Sequence, residues 1–205
     1  MTETRSRTRT RQRLLDAALD VLAERSLSST SVEAVCERAG FTRGAFYSNF
    51  TSIDDVVVAL FGQRAGQLLA ALGEHDESAI APSAPGDLRA EVAAALAILP
   101  LDRTWYLLTL EMSAQAVRRE GPAQLLADFR RRVREHLVTK LEGLVEHQGR
   151  RPTVPLDELA ALVIAMLEGL LDRSYVDNVP GAPTADSTVD AISALLLGLS
   201  EEVAR

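Results

Sequence analysis

The chain is predicted to be all-α, and three features of its 205 residues carry that expectation. Apolar residues recur at i, i+3, i+4 and i+7 from Leu15 to the last residues, the spacing of one helix face. Gly and Pro clusters cut these stripes into lengths typical of globular helices. The composition is 47% hydrophobic but only 4% aromatic, with 25% charged residues, which suits a soluble helical protein. A chain of this length can bury one substantial core and still carry a small second domain.

The first helix is expected from about Thr8 to Arg25. Leu15, Ala18, Leu19 and Leu22 stripe one side, and Asp16, Asp20 and Glu24 form a polar edge. Arg5, Arg7, Arg9, Arg11 and Arg13 precede or open it. The first 50 residues hold eight Arg against six acidic residues, while the other 155 hold 14 basic and 23 acidic ones. An acidic protein can still hold a polyanion where its positive charge is gathered. The Arg-rich segment is therefore expected to act as an arm along a phosphate backbone or in a minor groove, with a solubilising tail as the alternative. Ser26 to Ser29 make the link to the next element.

Residues 30–50, TSVEAVCERAGFTRGAFYSNF, read as a short helix, a Gly-centred turn and a second short helix. Thr30 suits the N-cap, with Glu33 placed three residues on for a capping box. Val32, Val35, Cys36 and Ala39 follow at helical spacing, and Gly40 stands where a helix ends in a left-handed residue. Thr42 caps the second helix. Ala45, Phe46 and Phe50 are expected inward, and Arg43, Gly44, Tyr47, Ser48 and Asn49 outward. Two short helices joined in this way form a helix-turn-helix, whose second helix lies in the DNA major groove.

From about residue 9 to 60 the chain resembles the N-terminal domain of TetR/AcrR-family transcriptional regulators. The residues that carry the resemblance are Ala17-Ala18, Thr30-x-Val32, Ala39-Gly40, Gly44 and Tyr47-x-x-Phe50. The resemblance implies a three-helix DNA-binding head over residues 8–56 and a helical ligand-binding and dimerisation domain over 57–205. Thr30 and Ser31 would offer hydroxyls and backbone N–H groups to a phosphate. Thr42 would open the recognition helix. Arg43 would reach a guanine edge or a phosphate, and Gly44 and Ala45 would let the backbone approach the groove. Tyr47 is similar to the family tyrosine that donates to a phosphate, while Ser48 and Asn49 would add contacts. Two departures stand out: Asn49 replaces the more usual His or Tyr, and Ile53 replaces a common Lys that meets a phosphate.

A fourth helix is expected from Ser52 to about Leu72, with Asp54 and Asp55 complementing its dipole. Residues 73–87 read as a loop by composition. Five more helices follow. Leu88, Val92, Leu96 and Leu99 stripe one that stops at Pro100. Residues 102–119 form the next, apolar nearly all round from Trp105 to Met112 and so expected to be buried. Gly121-Pro122 starts a long helix with Leu125, Phe129, Val133, Leu137, Leu141 and Leu144 inward; its Arg130, Arg131, Arg132 and Arg134 are expected to pair with local acids at a solvated face. Residues 149–155 read as a turn. Helices over about 156–174 and 186–204 close the chain, separated by the loop VDNVPGAPTADS.

The last two helices are too apolar for one face each. Leu159, Val163, Leu167 and Leu170 make a stripe that Leu162, Met166 and Leu171 widen; Ile192, Leu195, Leu196, Leu199 and Val203 do the same in the other. By the resemblance, they pair with their copies in a second subunit as a four-helix bundle, so that a homodimer reads a palindromic double-stranded operator. The resemblance also implies a pocket for an apolar small-molecule effector between about residues 55 and 175. Trp105, Tyr106, Met112, Phe129, Met166 and Tyr175 are candidates for its wall, with Glu111 and Glu168 as polar contacts; each could equally be plain core or surface.

Other functions find little support. His75, His136 and His147 show no metal spacing, and there is no nucleophile elbow, phosphate-binding Gly loop or dinucleotide fingerprint. No enzyme activity, metal or cofactor is expected. The single cysteine, Cys36, rules out an internal disulfide, fits a reducing cytoplasm and reads as a small buried apolar residue. The Arg-rich start lacks a signal-peptide core, and the longest apolar run, Leu159 to Leu167, is too short to span a bilayer. The expected protein is a soluble, cytoplasmic repressor released from its operator by a small molecule. The alternatives are a DNA-binding regulator without a small-molecule ligand and a ligand-binding helical dimer with a weakened DNA head.

Overall fold

A computed structural model describes residues 2–24, 30–74, 87–176 and 185–203; for residues 2–6, 74 and 185 it describes the backbone alone. Nine helices run through the described residues: α1 (Thr2–Glu24), α2 (Val32–Ala39), α3 (Arg43–Tyr47), α4 (Ile53–Glu74), α5 (Leu88–Leu96), α6 (Arg103–Ala116), α7 (Glu120–His147), α8 (Leu156–Tyr175) and α9 (Ala185–Gly198). The all-α expectation holds, including the number of helices. Two strands, β1 (Arg150–Pro152) and β2 (Ser200–Glu202), were not foreseen. The link 26–29 and most of the two Pro/Gly loops lie outside the described residues.

The residues group into two compact units, one of residues 1–66 and 102–127 and one of residues 67–101 and 128–205. In the first unit α1 packs on α2, with Leu14, Leu15, Ala18 and Leu22 of α1 and Val35 and Cys36 of α2 buried, and Phe46 of α3 is buried as well. Val56, Val57, Leu60 and Phe61 of α4 and Trp105, Leu108 and Met112 of α6 are among the other buried apolar residues of this unit. Phe61 stacks on Trp105 with ring centroids 5.7 Å apart and 14° between planes. Asp102 caps α6 by accepting from the Trp105 N–H at 2.9 Å. α6 is less enclosed than its composition suggests, because Leu110 is exposed. The helix ends at Ala116, three residues before the expected limit.

In the second unit, Leu88 and Val92 of α5, Leu141 of α7, Leu159, Ala160 and Val163 of α8, and Val189, Ile192 and Leu196 of α9 form one core. Arg130, Arg131 and Arg134 of the α7 Arg face pair with acids within this unit, as expected of them. Arg131 meets Asp128 and Glu135 at 3.2 and 3.0 Å, Arg134 meets Asp157 at 3.4 Å, and Arg130 approaches Glu168 at 3.9 Å.

The end of the chain departs from the expected helix over 186–204. α9 stops at Gly198, and β2 pairs antiparallel with β1, Arg151 opposite Glu201. Arg150 explains the stop. Its guanidinium donates to the Ser200 carbonyl at 2.6 Å, the Ser200 hydroxyl at 2.8 Å and the Leu197 carbonyl at 3.2 Å, meeting acceptors that a helix end leaves open. Arg151 adds an ion pair with Glu201. Val203 is therefore not part of a helical stripe. It lies exposed beyond β2, its N–H donating to the Gly149 carbonyl at 3.0 Å. Gly149 has φ 62°, which explains why Gly begins the turn into β1.

One helix, α4, is long and apolar enough over Ile53–Gly73 to cross a membrane by length and composition. Within each unit its buried side chains, such as Val57 and Phe61 or Leu68 and Leu72, lie in the protein interior, as in the core helix of a globular protein.

Candidate nucleic-acid interface

The small helices are built by local capping. Ser31, and not Thr30, is the N-cap of α2: its backbone is extended and its hydroxyl accepts from the Ala34 N–H at 3.2 Å. The expected capping box from Thr30 to Glu33 is replaced by this arrangement, which leaves the Glu33 carboxylate for another partner. Gly40 ends α2 with φ 68° and ψ 36°, the left-handed geometry expected of it. Thr42 caps α3 as expected, its hydroxyl accepting from the Ala45 N–H at 3.2 Å.

α3 is a single five-residue turn, Arg43–Tyr47. Its underside is Phe46, fully buried, with Phe50 buried just beyond it at a centroid distance of 5.8 Å. Thr42, Arg43, Gly44, Tyr47 and Ser48 are exposed on the other side, and Ala45 is half-buried. Nothing but Thr42 Oγ1, 3.7 Å away, would meet a Cβ at Gly44, so the surface there is open to a close backbone approach. Thr30 is half-buried and Ser31 exposed at the start of α2.

Asn49 does not face outward in the expected way. It is half-buried, and its amide Nδ2 donates to the Ala45 carbonyl at 2.8 Å, closing the α3 turn. Ser48 similarly donates its hydroxyl to the Gly44 carbonyl at 2.9 Å, so its side-chain oxygen remains as an acceptor. Both residues sit just past the last helical position, where such side chains satisfy free carbonyls.

The Arg-rich segment is not a loose arm: α1 already begins at Thr2. Three of its arginines brace the small helices. Arg7 donates to the Ser48 carbonyl at 2.9 Å, behind the end of α3. Arg11 lies over the Phe50 ring at 4.8 Å. Arg13 donates to the Ala39 carbonyl at 2.9 Å and lies over the Phe41 ring at 4.6 Å. Sequence reasoning missed this role, because arginines in every second position look the same whether they track phosphates or reach across to another helix.

The exposed cation of α3 is not free either. Arg43 Nη1 lies 3.0 Å from Glu33 Oε1, with both side chains exposed. A hydrogen bond with Tyr47, and then the Glu33 carboxylate, hold the Arg43 guanidinium still more firmly protonated than usual. Cys36 lies beneath, buried as expected. Burial, and then the Glu33 carboxylate, push its thiol above the usual range, with Arg43 opposing them. At Ile53, the first residue of α4, the position offers no cation; the helix start is instead arranged around Asp55. Its carboxylate accepts from the Thr51 hydroxyl and lies 3.3 Å from Arg119.

The six residues expected to line an effector pocket divide between the units. Trp105, Tyr106 and Met112 belong to the first, all buried. Phe129, Met166 and Tyr175 belong to the second. Met166 is partly buried against that unit's core, and the Tyr175 hydroxyl donates to the Leu101 carbonyl at 2.8 Å. Glu111 is half-buried beside Gln115, whose amide reaches it at 3.5 Å. Glu168 is exposed and faces Arg130.

Comparison with known proteins places this geometry. Residues 14–60 match the pattern described as bacterial regulatory proteins, tetR family. Residues 85–201, more than half of the chain, match the C-terminal region of BetI-type transcriptional repressors. The HTH-type transcriptional regulator YwcC of Bacillus subtilis is 26% identical over 183 residues, which are 87% of this chain and 81% of that protein. A transcriptional regulator from Rhodococcus superposes with a TM-score of 0.69 at 24% identity, over 92% of this chain and 95% of its own. A regulator from Saccharomonospora viridis, solved in complex with choline, superposes at 0.74 with 16% identity, over 95% and 100% of the two chains. With the capped helix-turn-helix lying inside residues 14–60 and the C-terminal match covering more than half of the chain, this chain belongs to the TetR family of DNA-binding transcriptional regulators.

Proposed function

We propose that this chain is a ligand-responsive repressor that binds a palindromic operator as a homodimer. In this reading residues 8–56 are the DNA head and 57–205 the regulatory domain, and the protein works in the cytoplasm. The observation that carries it is the outer side of α3. An exposed Arg43 and Tyr47 stand beside a bare Gly44, on a turn held from behind by buried Phe46 and Phe50. Arg43 donates to a base edge and Tyr47 to a phosphate. Thr30, Ser31 and Thr42 position the head through hydroxyls and backbone N–H groups, Ser48 accepts from a base donor through the oxygen that its bond to Gly44 leaves available, and Gly44 and Ala45 allow the approach. Asn49 contributes by holding the turn closed.

The dimer is supported by what α8 and α9 leave exposed. Ala161, Leu162, Ala165 and Gly169 lie along one exposed side of α8, and Ala194, Leu197 and Gly198 along one side of α9. A Cβ at Gly169 or Gly198 would meet nothing within 4 Å, so a second copy of these helices can approach closely. Such a dimer spaces two copies of α3 for successive major grooves.

An apolar small molecule in the regulatory domain shifts the population toward a head spacing that does not fit the operator. The choline complex of the Saccharomonospora viridis protein supports a small-molecule site in this fold without indicating which ligand this chain takes.

The test is binding to a duplex that the protein itself selects from a random pool, compared with a scrambled duplex across a salt series. Selective binding that Arg43→Ala relaxes and Tyr47→Phe weakens is the expected result. Equal, weak binding to both duplexes would refute the DNA-reading role. Trp105 emission, reporting on the Phe61 stack, then screens for effectors that also release the DNA.

A further inference from the structure

Glu33 is an acid in the wrong place for a surface that meets a polyanion. It stands in the first turn of α2, exposed, on the same side as the outer residues of α3. The capping role that its position suggests has gone to Ser31, whose hydroxyl meets the Ala34 N–H. Its carboxylate lies instead 3.0 Å from Arg43. The pair joins α2 to α3 across the turn at Gly40, and it neutralises the one long cation of α3.

From this geometry we infer that Glu33 is a specificity-determining residue: it holds Arg43 off the phosphates unless a matching base edge takes the guanidinium. The inference rests on the reading of α3 as the DNA-contacting element. An exposed ion pair is weak, so a guanine offering two acceptors can displace or share it. A phosphate offers Arg43 little more than Glu33 already does, and Glu33 repels that phosphate besides. On unmatched DNA the cation thus stays with Glu33 and adds nothing to the non-specific attraction that every sequence shares. On matched DNA, Arg43 spans its base while the carboxylate lies within reach of the edge, where an acid can accept from a cytosine amine. In this chain a neighbouring anion keeps the cation of α3 from binding everywhere.

The test uses the full chain and Glu33→Gln, which keeps the side chain's size and removes its charge. Affinity for the selected duplex and for a scrambled one is measured across a salt series. Freeing Arg43 should raise affinity for scrambled DNA by about fivefold to tenfold and steepen its salt dependence by about one phosphate contact. Affinity for the selected duplex should rise by no more than about twofold, because a weak exposed ion pair is all that Arg43 gives up to reach its base. Discrimination then falls by roughly fivefold, while the unfolding midpoint stays where it was. Arg43→Ala added to Glu33→Gln should abolish the gain on scrambled DNA. Wild-type protein that discriminates, combined with a Glu33→Gln variant of unchanged ratio and salt slope, overturns the inference alone. Wild-type protein that binds both duplexes equally overturns the DNA-reading role and this inference with it.

Discussion

Arg13 separates two accounts of the arginine-rich start of the chain. If the segment were an arm on the phosphates, Arg13 would be worth one phosphate contact and nothing to the fold. In the structure it does the opposite: it donates at 2.9 Å to the Ala39 carbonyl, at the C-terminal end of α2, and covers the Phe41 ring at 4.6 Å. A hydrogen bond from a charged donor is worth about 1.5–3 kcal/mol, and its partial exposure places it at the low end. A cation over an exposed aromatic face adds about 0.5–1 kcal/mol. Arg13→Ala should therefore cost about 2 kcal/mol, which for a chain of this size lowers the melting temperature by about 4–8 °C. The assay pairs thermal unfolding with DNA binding over a salt series, measured well below the transition. Arg13→Ala should lower the midpoint and leave the salt slope of binding unchanged. A slope reduced by about one with an unchanged midpoint would make Arg13 a phosphate ligand and refute the bracing role.

Three further outcomes are expected. Thr42→Ala should destabilise the head by about 1 kcal/mol in denaturant unfolding and Thr42→Gly by only a few tenths, because the cap at Ala45 N–H is lost in one case and partly compensated by backbone freedom in the other. Asp55 should matter to stability only while ionised. The Thr51 hydroxyl and then Arg119, opposed by partial burial, hold its carboxyl below the ordinary 3.8, so its contribution is present above that pH and lost as pH falls through the lower folded value. Asp55→Asn should thus be less stable at pH 7 by about 1 kcal/mol, with the difference vanishing in acid; a deficit that persists at pH 2 would point to packing instead. Leu162→Arg should convert a dimer at micromolar concentration into a monomer in sedimentation and weaken operator binding, whereas a wild-type monomer under the same conditions would remove the dimer from the proposal.

The parts of this protein that were legible in the sequence are those built by neighbours along the chain. Gly40 must end α2 because its left-handed backbone is strained for any other residue, and Thr42 must cap α3 because its hydroxyl has one donor in reach. Helical stripes, Pro and Gly breaks and the buried Phe46 and Phe50 follow from the same short-range rules. Even there, the choice between Thr30 and Ser31 as the cap of α2 was open to the sequence, since both carry a hydroxyl and only the backbone's entry angle selects one. What depended on residues far apart was settled only by the tertiary structure. Arg13 meets Ala39, Glu33 meets Arg43, and Arg150 stops α9 by taking the Ser200 and Leu197 carbonyls, which turns the expected last helical turn into a strand. Charged side chains are long and indifferent to periodicity, so the pattern of letters specifies that they are present and on which side they start. Which partner each one reaches is decided by how the helices pack.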